Sequence, residues 1–551
     1  MNRSVEINMD NSSIELSDLP NEILMIILKK LFNVEVLYSL IGVNKRLHAI
    51  VYDPIFTNCL TLMRCVSDDS IDPLPDSILD RLCSQILPEI HHKIKCLNLE
   101  SSSMKRILLA TSYPNLCELG LYDSEIETVL SLITDESSLT SIDKNQILAP
   151  VINRTKYGKV SAADDMNPRT LAHIFNTFSN LQYLNFYAST IWSERLSFAN
   201  PCPSINSSTL LELHIRLMSF SGCLYILDGR FNNLHTLHVD IQFVYASDLR
   251  NNNQEKLPIP NIRCFSLYCS EMTNAYDELT VPHLQRMSNL EKLSLNLIIS
   301  VKNTFVDGNE LKQNIINYMP RLKRFQFYIC SDRYYPNQIS LQSKEDIQHL
   351  FKDFKDDQII SYIDYFQEGQ HSLCHIYLYS YKLKYYHTIT NNFPGGLFKY
   401  VHELLLYDER PFEREFFLRI AQSFPFINIL TIKNSKAQNN KLCRESKNGN
   451  QDLSIIKYPH LTSLSLNEAH DDYIEEFLVD TRTCLPNNSV HLNIFFRQLK
   501  RMTHNFTRDV TRINCAKLVS ICANACRLPQ YTRAYFPHVR RFLLLSMLMY
   551  M

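Results

Sequence analysis

One short pattern, apolar-x-x-apolar-x-apolar, recurs along most of this 551-residue chain and limits what it can fold into. Copies begin at Ile94, Leu116, Leu181, Leu210, Leu234, Ile262, Leu290, Leu322, Leu373, Val401, Ile427 and Leu461. Successive starts lie 22 to 34 residues apart, except for gaps of 65 and 51 that are expected to conceal insertions or degenerate copies. Alternation inside a copy, as in Leu119-Gly120-Leu121 or Leu293-Ser294-Leu295, predicts a short strand with one buried side. Between copies, apolar residues fall at helical spacing: Leu171, Ile174, Phe175 and Phe178; Leu311, Ile315, Ile316 and Met319 before Pro320; Phe416, Phe417, Ile420, Ala421 and Phe424. Each unit is thus a strand plus a helix. A single unit cannot bury its apolar side, so the units are expected to stack into a curved solenoid over about residues 91–500.

The first sixty residues are of another kind. Leu19-Pro20 enters a stretch in which Ile23, Leu24, Ile27, Leu28 and Leu31 fall at three- and four-residue spacing, with Asp18 placed to cap it. A second apolar cluster, Val36, Leu37, Leu40, Ile41 and Val43, precedes Asn44-Lys45-Arg46-Leu47, then Ile50 and Val51, and the stretch closes on Asp53-Pro54-Ile55-Phe56. Some forty residues cannot hide that much apolar surface by themselves, so the excess asks for a partner. The order Leu19-Pro20, Glu22-Ile23-Leu24, Ile27, Leu31, Leu40, Val43-Asn44, Leu47 and Phe56 resembles an F-box, with Phe56 and His48 where that family more often has tryptophan and another aromatic. The resemblance implies a small all-α domain over residues 14–62 that docks on the Skp-type adaptor of a cullin-RING ubiquitin ligase. Leu19, Pro20, Glu22, Ile23, Leu24, Ile27, Leu40, Val43 and Leu47 are the adaptor contacts it implies.

The repeated region resembles the irregular leucine-rich repeats that often follow an F-box, whose period runs from about 20 to 29 residues. The overall expectation is therefore an α/β chain, an F-box followed by a leucine-rich-repeat-like solenoid. Residues 1–13 are read as disordered, 63–90 as linker and solenoid start, and 501–551 as a cap or tail. The family's asparagine ladder is replaced by Ser102, Ser124, Ser189, Ser270, Cys330 and Ser435, so the coil is expected to be less regular. Polar insertions at residues 248–256 and 434–454 read as surface loops.

In such a repeat the outward strand residues form a readout surface. Its seventh position holds Tyr122, Tyr187, Tyr268, Tyr328, Tyr379 and Tyr407, against 29 tyrosines in the whole chain. Ladder packing between rungs would favour tyrosine there, and so would protein recognition; these six are the candidate substrate face. Nearby Glu212, His214, Arg216, His238, Asp240, Lys292, Arg324 and Lys433 mix both signs, so no uniform phosphate groove is expected.

Fifty-six basic and 57 acidic residues give a formal net charge of −1, which favours neither nucleic acid nor membrane as partner. The first fifteen residues lack the apolar core of a secretory signal, so the sixteen cysteines read as free thiols in a cytoplasmic or nuclear protein. Ten glycines form no phosphate-cradling loop and no His-Glu-x-x-His pattern occurs, so no catalytic residue, metal or cofactor is expected. Cys515, Cys522, Cys526 and His538 are a poor zinc pattern, and His91-His92 beside Glu89 reads as surface. The apolar tail after Arg541 is too short to span a bilayer and is read as a cap. The function expected is substrate recognition for an SCF-type ubiquitin ligase, the substrate being an unidentified protein. A ligase-independent repeat scaffold is the alternative.

Overall fold

The computed structural model describes residues 19–65, 71–122, 128–129, 131, 134, 142–153, 166–187, 195–198, 205–246, 259, 261–302, 304–334, 359–379, 383, 385–439, 455–487, 490–523, 530–539 and 541–544. The chain divides into two compact units. One comprises Met1–Val66, Ile71–Ser189 and Pro203–Leu210; the other comprises Ser67–Ser70, Thr190–Cys202 and Leu211–Met551.

The first unit opens with four helices, α1 (Asn21–Leu28), α2 (Asn33–Leu40), α3 (Lys45–Val51) and α4 (Pro54–Thr57). Local chemistry sets their ends. Asn44 Oδ1 accepts from Leu47 N at 2.8 Å to start α3, and Asp53 Oδ1 accepts from Ile55 N at 2.9 Å to start α4, whose first residue is proline. Gly42, at φ +81°, turns the chain between α2 and α3 in a conformation that L-residues rarely adopt. The cap expected from Asp18 lies outside the described residues. Pro20 occupies the capping position of α1 with no side-chain bond.

Five parallel strands follow in chain order: β1 (Cys59–Leu62), β2 (Cys96–Glu100), β3 (Glu118–Tyr122), β4 (Ala149–Asn153) and β5 (Tyr183–Tyr187). Register puts like beside like. Leu62, Leu99, Leu121, Ile152 and Phe186 form one continuous inward row, all buried. At each entry one carbonyl accepts two amides of the next strand. Asn58 O takes Lys95 and Cys96 N, Lys95 O takes Cys117 and Glu118 N, Cys117 O takes Leu148 and Ala149 N, and Leu148 O takes Gln182 and Tyr183 N, all at 2.8–3.1 Å. Among the described residues, the gap of 65 holds one further rung, β4, which has no leucine pair to announce it. Helices α5 (Ser101–Leu108) and α6 (Met166–Thr177) fill two of the intervals.

In the second unit β6 (Glu212–Ser219), β7 (Thr236–Phe243), β8 (Cys264–Thr273), β9 (Lys292–Val301) and β10 (Arg324–Tyr334) again pair in parallel and in order. Ile215, Val239, Leu267, Leu295 and Phe327 make their inward row. The paired-amide entry recurs at Leu211, His235, Arg263 and Glu291. Leu373 then departs from expectation. It lies in β12 (His371–Leu378), which pairs antiparallel with both β10 and β11 (Ile359–Phe366). A four-residue reversal at residues 367–370, with Gln370 at φ +51°, makes a hairpin there, so this copy is no rung of the parallel series.

A second parallel sheet runs β13 (Tyr385–Ile389), β14 (Glu403–Tyr407), β15 (Ile429–Asn434), β16 (Ser463–Ala469), β17 (Val490–Asn493), β18 (Leu518–Ala523) and β19 (Arg541–Leu544). Helices α7 (Arg414–Ser423), α8 (Asp471–Leu478), α9 (Phe496–Met502) and α10 (Asp509–Ala516) connect these strands. Strands β18 and β19 carry the sheet into the stretch expected to be a cap. The polar ladder role falls one residue earlier than Ser435. Asn434 Nδ2 donates to Arg410 O at 2.8 Å, and in the preceding rung Asp408 Oδ2 accepts from Asn391 N at 2.8 Å. Glu476 of α8 and Arg414 of α7 form a fully buried ion pair between helices. The expected loop at 248–256 lies outside the described residues, as do residues 440–454 of the other one.

The hairpin seals a polar cluster in apolar surroundings. Tyr328 Oη lies 3.1 Å from His375 Nδ1, and His375 Nε2 lies 3.9 Å from Cys330 Sγ and 3.8 Å from Asp364 Oδ2. Thr390 Oγ1 and Asn392 Nδ2 both donate to Asp364 Oδ1, at 2.7 and 2.9 Å. Burial pushes the Asp364 carboxyl up to about 6 and pulls His375 and His387 down to about 3 and about 4. The signs oppose. Between pH 3.8 and about 6 folded Asp364 holds a proton its unfolded form has lost, so its stabilisation fades as pH rises through 6. The neutral histidines, His375 buried and His387 half-buried, weaken the fold as pH falls from 6.5 towards their depressed values. Asp364→Asn keeps the acceptor and removes the ionisation. Its unfolding free energy, measured by denaturant titration against the native chain, should improve by about 1.4 kcal/mol between pH 5 and pH 8.

Candidate functional site

The four amino-terminal helices divide their apolar residues between two destinations. Leu24, Leu28, Val34, Val36, Leu37, Ile41, Leu47, Ile50, Val51 and Phe56 are buried. Ile23, Ile26, Ile27, Leu31, Phe32, Val43 and Ile55 are exposed, Ile26, Phe32 and Val43 by 59, 63 and 58%. Residues 23, 26 and 27 share one stripe of α1, opposite Leu24 and Leu28. Hydrogen bonds tie together the segments that carry the other exposed residues. Asn33 Nδ2 donates to Ile55 O and Cys59 O at 3.1 and 2.9 Å, fastening the start of α2, beside Phe32, to α4. Arg46 reaches Asn21 Oδ1 at 2.8 Å and also Leu19 O, tying the segment after Val43 to the start of α1.

Part of the bundle is covered by its own unit. Arg81 donates to Ile41 O at 3.1 Å and stacks over the Tyr38 ring, while Lys93 donates to Tyr52 O at 2.9 Å. His48 faces Glu89 at 3.4 Å, and His91 Nδ1 lies 2.7 Å from Pro88 O. The α1 stripe stays uncovered, although this packing is in place.

Of the nine residues expected at the adaptor contact, Pro20, Glu22, Ile23, Ile27 and Val43 are exposed and Leu19 and Leu40 half-buried. Leu24 and Leu47 are core residues, at 0 and 5% exposure; their side chains hold the bundle together and cannot also meet a partner. Ile26, Phe32 and Ile55 are exposed as well and lie outside those nine. Ile26 was legible, since it sits three residues after Ile23 on the same stripe.

The six tyrosines do not all face outward. Tyr122 and Tyr187 belong to the first unit and the rest to the second. Tyr328 is buried, because the antiparallel hairpin covers it: its hydroxyl accepts from His387 N at 3.1 Å and its ring packs on Tyr377 and Tyr386. Tyr379 lies one residue past the end of β12. Tyr268 sits in register between Asp240 and Asn296, so the outward row reads Arg216, Asp240, Tyr268, Asn296.

Tyr407 and Lys433 do meet, at a cleft of about 650 Å³ at the C-terminal ends of β14, β15 and β16. Its charges are mostly paired, Lys433 with Glu468 at 3.0 Å, Lys436 with Glu368 at 2.6 Å and Arg501 with Asp471 at 2.7 Å. The cleft therefore presents both signs and hydrogen-bonding groups, which suits a polar protein segment better than a polyanion.

A family model for the F-box domain matches residues 16–58. The match ends at Asn58 and β1 begins at Cys59, four residues inside the boundary expected from sequence. The match supports an F-box protein, and F-box domains typically bind Skp-type adaptors. No curated protein sequence matches the chain. Among the described residues, no helix is long and apolar enough to cross a membrane.

The inside and outside of α1 make opposite predictions for stability. Leu24→Ala should cost about 2–5 kcal/mol and Ile26→Ala less than about 0.5 kcal/mol in thermal or denaturant unfolding of the purified chain.

Proposed function

We propose that this protein is the substrate-recognition subunit of an SCF-type ubiquitin ligase. In this reading the F-box docks the Skp-type adaptor, and the two series of parallel strands act as a leucine-rich-repeat-like solenoid that holds a protein substrate. The observation that supports it is the exposed α1 stripe within a matched F-box. Seven large apolar side chains of one small bundle are 39–63% exposed, and covering what remains open of each would gain about 1 kcal/mol of transfer free energy. Only a fraction of that becomes affinity.

In this role the chain performs no bond chemistry and requires no cofactor. The RING subunit recruits the ubiquitin-loaded enzyme, and this protein contributes proximity by keeping a substrate lysine within reach. The Cys330-His375-Asp364 grouping fits the same reading. It is closed to solvent, and burial drives the thiol well above its ordinary range and the imidazole to its neutral form, so no activated nucleophile results. The polar cleft containing Tyr407 and Lys433 and the outward rows around Tyr268 are the surfaces offered to substrate. Cytoplasmic or nuclear residence is part of the same proposal.

Ile26→Asp combined with Phe32→Asp should lower affinity for a purified Skp-type adaptor at least 100-fold by calorimetry and leave the melting temperature nearly unchanged. Alanine at Leu19 and Pro20 should abolish adaptor co-purification. Undiminished binding of either variant refutes the assignment. Adaptor recovered without any cullin would favour a scaffold.

A further inference from the structure

The outward face of the second unit's first sheet carries a grouping that substrate recognition does not require. His214 of β6 and His238 of β7 are register partners on adjacent parallel strands, and their rings stack with centroids 4.2 Å apart. Glu212 lies two residues before His214 on the same face, its Oε1 2.6 Å from His214 Nε2. Among the described residues, these three form the one group whose potential metal-ligating atoms converge, all within 4.8 Å of one another and all half-buried.

We propose that Glu212, His214 and His238 bind a divalent first-row transition cation of the zinc class. Two imidazoles and one carboxylate are ligands that such cations favour over calcium or magnesium, which take oxygen alone. Bonds of about 2.0–2.1 Å in a tetrahedral site put ligand atoms about 3.3 Å apart, so the group must contract by roughly 1.5 Å at most, within reach of side-chain rotation. All three ligands stand on strands whose register is fixed by the buried row Leu213, Leu237 and Phe265 directly beside them. Such a frame orients ligands better than a loop does. The cation would take the place of the hydrogen bond between His214 Nε2 and Glu212 Oε1. Asp240, in the next row, is held by Arg195 at 2.8 Å and Arg216 at 3.1 Å, which keeps it out of the ligand set. Three protein ligands leave a fourth position for water or for a donor side chain of a bound protein.

The test uses the full chain, stripped with chelator and titrated with Zn²⁺ alone against a chromophoric competitor, since sixteen cysteines and eighteen histidines could bind zinc elsewhere. Glu212→Gln, His214→Asn and His238→Asn should each weaken one and the same site at least 100-fold, while His504→Asn leaves it intact. Substituted Co²⁺ should give weak visible bands without the intense near-ultraviolet absorption of thiolate ligation. Unchanged affinity and stoichiometry in all three variants would overturn the site. As a second measurement on the native chain, saturating Zn²⁺ should protect His214 and His238 from imidazole acylation, read by mass spectrometry. Equal labelling with and without zinc contradicts the proposal whether or not the variants fold.

Discussion

A parallel strand that buries alternate residues has one register in which its apolar side chains meet those of its neighbours, and a shift of one residue would turn all of them to water. Rows such as Leu62-Leu99-Leu121-Ile152-Phe186 and Ile215-Val239-Leu267-Leu295-Phe327 fix that register, with a carbonyl at each entry accepting two amides of the next strand. What faces outward follows from what is locked inward. His214 stands beside His238 and Tyr268 beside Asp240 because the residues between them are committed to the core.

Much of this was legible because the inward residues are large and aliphatic. Strands after Ile94, Leu116, Leu181, Leu210, Leu234, Ile262, Leu290, Leu322, Val401, Ile427 and Leu461 begin two residues past the first apolar position. Three of the features that escaped did so for separate reasons. Strand β4 reads Ala-Pro-Val-Ile-Asn, in which neither of the two expected leucines is present. The copy at Leu373 has the right alternation, but period two does not reveal strand direction, and a hairpin has the same pattern as a parallel rung. Tyr328 looked outward by position, and only the hairpin 47 residues further on buries it against His375.

The amino-terminal bundle shows the same limit from the other side. Spacing in α1 marked Ile23, Leu24, Ile27 and Leu28 as apolar, but a helix with apolar residues around most of its circumference does not say which side its own domain will use. The answer depends on α2, α3 and the arginine and lysine contacts from residues 81 and 93, all tertiary facts. They send Leu24 and Leu28 inward and leave Ile23, Ile26 and Ile27 in water. A folded unit that has used its covering elements elsewhere and still exposes this stripe has the physical character of one half of an interface.

In the proposed docking a Skp-type adaptor covers the exposed stripe of α1. Hydrogen–deuterium exchange or hydroxyl-radical footprinting of the full protein, alone and with adaptor, reads that location directly. With adaptor bound, protection is expected to be confined to residues 19–32 together with Val43 and Ile55, with the parallel sheets unchanged. Protection that spares α1, or none at adaptor concentrations that saturate an established F-box protein, would contradict that docking.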